Sequence, residues 1–130
     1  MTTGCVFCAI AAGHQPSVVV REWDDAVAFV PLAPVVDGHI LVIPRAHVVD
    51  AAESPLVAGM VAARAAELGA RLYGTNFHLV NNVGPLADQT TFHLHWHLCP
   101  RQKGDGLVMP WTAQQQQVVV GADGAGRSHP

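Results

Sequence analysis

Residues 91–100 read TFHLHWHLCP. Apolar and polar side chains alternate through this run, which is the period of a β-strand with two unlike faces. His93, His95 and His97 fall on one face, and Leu94, Trp96 and Leu98 on the other. The apolar face needs a cover, so the strand belongs in a sheet with a helix packed over that side. Imidazoles two residues apart on a strand stand roughly 7 Å apart, too far for hydrogen bonds between them and suited to separate tasks along one bound molecule. Three readings compete: a solvated polar face without function, a metal site built from the histidines alone, and a catalytic face. Serine, threonine or lysine fill a solvated face more readily. A metal site of histidines alone leaves the adjoining NNVGPLADQT (81–90) without a role. A neutral imidazole is a usable nucleophile that titrates near neutrality, which favours catalysis.

Working outward, the remaining segments fit the same sheet. SVVVRE (17–22) and AVAFV (26–30) are β-branched and apolar runs separated by WDD, a hairpin pattern. PLAPVVDG (31–38) is a proline-rich connection, and HILVIP (39–44) a third strand ended by Pro44. FHLVN (77–81) reads as a fourth strand and residues 91–100 as the fifth. A long helix is expected over residues 55–73, with Ser54 as its cap, Pro55 in its first turn and Gly74 after its end. Leu56, Met60, Val61, Leu68 and Leu72 supply its expected apolar face. VFCAIAA (6–12) reads as a short helix with Gly13 as a left-handed terminator. The class is therefore α+β with a mainly antiparallel five-stranded sheet and two helices. Residues 1–110 form one domain, and the glutamine- and glycine-rich stretch 111–130 is expected to be a partly mobile tail.

Composition narrows the function. Half of the 130 residues are apolar, 13% are charged and the formal net charge is −3. There is no basic run, so binding of a nucleic-acid polymer through a basic patch is not expected. No apolar stretch reaches the roughly 18–20 residues of a membrane span. CVFCAIAAG (5–13) is a poor signal-peptide core, because no positive charge precedes it and two cysteines interrupt it; a cytoplasmic protein is expected. Three cysteines, an odd number, do not suit a disulfide framework. Cys5 and Cys8 form a C-x-x-C, a metal-binding or redox pair in a reducing compartment. Cys99 reads as a small buried core residue. A thioredoxin-type redox pair needs a strand–helix context that nothing near residue 5 provides. His14 and His129 are expected to be exposed and silent, and His78 has no assigned role.

The motifs resemble those of the histidine triad (HIT) family. HLHWHL (93–98) is similar to its histidine–apolar–histidine–apolar–histidine–apolar signature. CVFCAI (5–10) resembles its N-terminal segment, GHILVIPRAH (38–47) its glycine–histidine strand, and VNNVGPLADQTTFH (80–93) its loop leading into the triad. The resemblance spans roughly residues 5–105 in the family's order. It implies the HIT fold and a homodimer whose two sheets join into one of ten strands. It implies a nucleotide hydrolase or transferase attacking the α-phosphorus of a nucleoside phosphoramidate or a dinucleoside polyphosphate. Small purine nucleoside monophosphate derivatives are the expected ligands, with no organic cofactor. His95 would be the nucleophile, forming a nucleotidyl-histidine, with His97 at the phosphate or leaving group and His39 completing the site. Asn82, Gln89 and Thr90 would hold phosphate oxygens, and Phe29 would join them in the substrate-binding set. Splitting one displacement into two makes each easier, and such transition states chiefly need positioning and donors around the oxygens.

The same resemblance implies a structural zinc. Cys5 and Cys8 need two further ligands to close a tetrahedral site, and His47 and His93 are the family's partners for them. The pattern departs in Phe29–Pro34, FVPLAP, where Pro31 stands at the position that usually carries an aspartate or asparagine for the ribose hydroxyls. Proline has neither a side-chain donor nor an acceptor. The alternative reading is a zinc-stabilised nucleotide-binding module with little or no turnover.

Overall fold

The structure, a computed structural model, describes residues 4–109. The expected tail 111–130, with His129, lies outside the described residues. The elements are α1 (Val6–Ala11), β1 (Val18–Glu22), β2 (Ala26–Val30), β3 (Ile40–Pro44), α2 (Pro55–Tyr73), β4 (Phe77–Asn81) and β5 (Trp96–Pro100). The five strands form one sheet in the order β1-β2-β3-β5-β4. Every neighbouring pair is antiparallel. Among the described residues no helix is long and apolar enough to cross a membrane.

The sheet is covered on both faces, which explains why β2 and β3 are apolar throughout. Ala28, Ile40, Val42, Leu94 and Leu98 point to α2 and pack with Val61, Ala65 and Leu68. Val27, Phe29, Leu41 and Ile43 point the other way and pack with Phe7, Ile10 and Ala11 of α1. Because Leu94 and Leu98 belong to the α2 side, the alternating histidines belong to the α1 side. Six residues of helix and the loops beside it thus form the roof of the histidine face.

α2 begins and ends where its caps place it. The Ser54 hydroxyl accepts from the Val57 N–H at 3.2 Å, and Gly74 follows the last turn with φ +75. Its buried face differs from the expected one. Leu56 and Leu72 are exposed, while Ala58, Val61, Ala65, Leu68 and Gly69 are buried. The reason is close approach: a Cβ added at Gly69 would lie 2.7 Å from Phe77 and 2.9 Å from Leu98. Small residues let the helix settle on the sheet, and the Trp96 indole N–H donates to the Ala58 carbonyl at 3.0 Å.

The fifth strand is shorter than expected. Its ladder to β3 ends at the Val42–Trp96 pair, and its ladder to β4 at Asn81–Trp96. Upstream, the Leu94 N–H donates to the Val48 carbonyl at 2.6 Å, a loop contact in place of a strand. The inside–outside alternation nevertheless persists through residues 93–95, which are all buried. His93 and His95 therefore sit just outside the sheet's hydrogen-bond network.

Candidate active site and metal centre

Four side chains from three separate segments converge beneath α1. The ligand atoms of Cys5, Cys8, His47 and His93 all lie within 4.8 Å of one another. Cys8 Sγ is 3.2 Å from His47 Nδ1 and 3.5 Å from His93 Nδ1. Cys5 Sγ is 3.4 Å from His93 Nδ1, and the two Nδ1 atoms are 3.2 Å apart. A tetrahedral site with metal–sulfur bonds of ~2.3 Å and metal–nitrogen bonds of ~2.0–2.1 Å has edges of ~3.3–3.8 Å, and these four contacts, at 3.2–3.5 Å, lie close to the short end of that range. The tautomer fits as well. His93 Nε2–H donates to the Pro44 carbonyl at 2.9 Å, leaving the Nδ1 lone pair on the side of the thiols. Cys5 is also the N-cap of α1, its sulfur accepting from the Cys8 N–H at 3.3 Å. Donor set, spacing and tautomer all suit a metal ion, and neither Cys5 nor Cys8 is held in a disulfide.

His39 and His95 are oriented by backbone groups, and His97 by His39. His39 Nδ1 accepts from the Val35 N–H at 3.1 Å. Its proton is therefore on Nε2, which donates to His97 Nδ1 at 3.0 Å. That leaves His97 with its own proton on Nε2. His95 Nδ1–H donates to the His93 carbonyl at 2.8 Å, which leaves Nε2 of His95 with a bare lone pair. The His95 and His97 rings lie 5.0 Å apart, and the ring of Phe7 meets His95 edge-on at 5.2 Å.

Burial keeps these rings neutral. It pushes His97 down to about 4, helped by the neighbouring His95 and His39. It lowers His39, again with help from His95. It lowers His95 against the opposing pull of the His93 carbonyl, and it lowers His93 against that of the Pro44 carbonyl. At neutral pH the face thus presents one unprotonated nitrogen, His95 Nε2, next to one N–H donor, His97 Nε2. A nucleophile and an adjacent hydrogen-bond donor are the minimum equipment for covalent group transfer.

The loop before the triad is internally tied. Gln89 is buried; its Oε1 accepts from the Gly84 N–H at 2.8 Å, and its Nε2 donates to the carbonyls of Val49 and Thr91 at 2.8 and 3.1 Å. Both amide hydrogens are thus committed to the protein, and the residue braces the loop against the segment that follows His47. Asn82 Nδ2 donates to the Ala87 carbonyl at 2.7 Å. Thr90 is exposed, whereas Phe29 is buried against Phe7 at a ring distance of 5.4 Å. His14 is exposed and Cys99 buried, and His78 Nε2 accepts from Arg101 at 3.0 Å. Pro31 is half-buried immediately after β2. The site also uses groups that sequence reasoning missed: the Val35 N–H, the carbonyls of His93 and Pro44, and the side chain of Asn81, whose Nδ2 donates to the His95 carbonyl at 2.8 Å. Backbone groups carry no residue-type signal, so none pointed to them.

The family model described as HIT domain matches residues 12–104. The chain belongs to the HIT family. Among curated relatives, it is 40% identical over 110 residues to an uncharacterised HIT-like protein of Mycobacterium tuberculosis, covering 79% of this chain and 75% of that one. It is 30% identical over 119 residues to the adenosine 5′-monophosphoramidase HNT1 of Saccharomyces cerevisiae, covering 88% and 74%. Among solved structures, a zinc-bound histidine triad family protein of Mycobacterium smegmatis superposes with a TM-score of 0.71 at 34% identity, covering 89% of this chain and 90% of that one. A HIT family hydrolase of Clostridium thermocellum superposes with a TM-score of 0.73 at 26% identity, covering 84% and 100%. The five-stranded antiparallel sheet with two helices is the fold of these neighbours.

Proposed function

We propose that this HIT protein is a nucleotidyl hydrolase or transferase acting at the α-phosphorus of a nucleoside phosphoramidate, with dinucleoside polyphosphates as the second substrate class. The observation that carries the reading is the pair of opposed tautomers: His95 Nε2 bare and His97 Nε2 protonated. In the first step the His95 Nε2–phosphorus bond forms while the bond from phosphorus to the leaving nitrogen or oxygen breaks. The leaving atom takes its proton from solvent and is met by a hydrogen bond from the neutral His97 Nε2–H. Positive charge on the nucleotidyl-imidazole is stabilised by Nδ1–H···O=C to His93. Water then attacks phosphorus and loses a proton to solvent while the His95 Nε2–phosphorus bond breaks, so the nucleoside monophosphate leaves and His95 Nε2 regains its lone pair. His39 acts on this chemistry by holding the His97 tautomer. Thr90 and the second amide hydrogen of Asn82 are the donors on the phosphate side, and Phe29 backs Phe7 beneath the nucleophile.

The names of relatives support this reading, since one is an adenosine 5′-monophosphoramidase and another a HIT family hydrolase. For the metal centre we infer a structural zinc held by Cys5, Cys8, His47 and His93; the donor set favours zinc, and a Mycobacterium smegmatis relative is zinc-bound. Bound there, the ion supplies no chemistry to the substrate and pins α1 over the histidine face. A reducing cytoplasmic setting keeps both thiols available. A homodimer formed through α2 and the β4 edge, with which no other described strand pairs, would join two sheets into ten strands and completes the reading.

The rival is a zinc-stabilised nucleotide-binding module without turnover, and Pro31 and the committed Gln89 amide favour it. One experiment separates the two. Native protein is mixed with adenosine 5′-phosphoramidate, stopped within a turnover in alkaline denaturant, and weighed intact. One adenylyl group per chain on His95 is expected. His95→Gly should lose the adduct and slow turnover by several orders of magnitude, while His14→Ala changes neither. Near-native turnover in His95→Gly refutes the assignment of His95 as nucleophile, and AMP binding without turnover by native protein establishes the module.

A further inference from the structure

The nucleophile hangs between two anchors outside the sheet. Downstream, the ladders to β3 and β4 hold Trp96 but stop there. Upstream, the Leu94 N–H is held by the Val48 carbonyl at 2.6 Å. Continued register would pair His95 with Asn82, but Asn82 has turned away and its amide is bonded to Ala87. The carbonyl of His95 is met by a side chain: Asn81 Nδ2 donates to it at 2.8 Å. That bond fixes the 95–96 peptide plane. With the Leu94 anchor, which holds the 93–94 peptide, it restrains the backbone on both sides of His95, and so the direction of its Cα–Cβ bond. The hydrogen bond from His95 Nδ1 to the His93 carbonyl is only as well aimed as that backbone.

We propose that Asn81, through the bond from its amide to the His95 carbonyl, is a positioning residue for the nucleophile, extending the sheet by one rung where the β4 backbone leaves it. The proposal rests on the nucleotidyl-histidine reading for its kinetic consequence, though not for its structural one. Asn81 lies at the last position of the edge strand β4, half-buried and in no contact with the metal-ligand cluster that the structure records. A residue needed only for packing would tolerate leucine, which shares the branched shape and heavy-atom count of asparagine. A residue needed for its donor would not. Reaction rates are sensitive to displacements well under an ångström at the attacking atom, so loss of one positioning bond is felt in kcat.

The test uses Asn81→Leu, which removes the amide while keeping its branched shape and heavy-atom count, and Asn81→Asp, which presents an acceptor to the carbonyl. Two quantities are read in the full-length, metal-loaded chain: the single-turnover rate of adduct formation with saturating adenosine 5′-phosphoramidate, and the solvent-exchange rate of the His95 Nδ1–H, seen by ¹⁵N-edited NMR without substrate. Asn81→Leu should slow adduct formation about tenfold, and Asn81→Asp by more. KM should stay within twofold, and exchange of the Nδ1–H should accelerate by a comparable factor. Metal content should not change. Should Asn81→Leu fail to fold, Asn81→Asp is judged by the same criteria. An Nδ1–H exchange rate and an adduct rate both within twofold of native overturn the proposal, as does a change in KM alone. If native protein forms no adduct, the catalytic reading falls, and the exchange rate alone still decides whether Asn81 holds the imidazole.

Discussion

Replacing His97 with glutamine tests whether the relay from Val35 through His39 runs on neutral imidazole. Glutamine keeps an acceptor for the His39 N–H but does not titrate. In the native fold burial, with His95 and His39 alongside, holds His97 at about 4, against an ordinary value of 6.5. Because the folded value lies below the unfolded one, the unfolded chain takes the proton first as pH falls. The stability conferred by the neutral ring is therefore fully present above pH 6.5. It is lost as pH falls from about 6.5 to about 4, and no more is lost below that. Between pH 7 and pH 5 these two values give a loss of about 2 kcal/mol, which solvent at this half-buried ring trims to about 1–2 kcal/mol. Urea unfolding of native protein and His97→Gln at both pH values reads the difference, and proton uptake by the metal centre is common to both proteins and cancels. Native protein should lose about 1–2 kcal/mol more than the variant over this interval. Equal losses, within about 0.3 kcal/mol, would show that His97 titrates as it does in the unfolded chain. A protonated Nδ1 cannot accept from His39, so the relay would then be the wrong description near neutrality.

The remaining predictions address the metal, the ribose position and the helix seat. Protein purified without chelator should carry about one zinc per chain, and Cys8→Ser should lower zinc content and the melting temperature together, the latter by at least about 5 °C; metal analysis finding no zinc in native protein defeats the assignment. Pro31→Asp should tighten AMP binding about tenfold, or about 1.4 kcal/mol, while leaving 2′,3′-dideoxy-AMP unchanged by calorimetry; a native protein that already prefers AMP by that factor has its ribose contact elsewhere. Gly69→Ala should destabilise the fold by about 1–3 kcal/mol in urea unfolding, because the added methyl meets Phe77 at 2.7 Å and Leu98 at 2.9 Å; a neutral result would mean that α2 shifts freely on the sheet.

What the sequence disclosed divides along a physical line. Caps announce themselves by residue type, so the bounds of α2 from Ser54, Pro55 and Gly74 agree with the structure to the residue. Its buried face did not, because an apolar pattern weighs large side chains. Close approach instead selects small ones, and Ala58, Ala65 and Gly69 took the places offered to Leu56 and Leu72. Alternation placed the histidines on one face correctly, yet could not show that the ladder ends at Trp96, since Leu94 satisfies its N–H in a loop. Ligand types at 5, 8, 47 and 93 were visible, but their convergence depends on contacts across the sheet. The adjacent asparagines show the limit most directly. Asn82 attracts attention from its loop and spends its amide on Ala87, while Asn81, one residue earlier and outwardly part of a plain strand, reaches the His95 peptide. Side-chain chemistry names the histidines as actors. Which nitrogen each one presents is decided by the Val35 N–H, by the carbonyls of Pro44 and His93 and by the His39 N–H, and three of these four groups belong to a backbone that every residue shares. A substitution that leaves all the histidines in place but moves one of those peptides should therefore disable the site as surely as removing a ring.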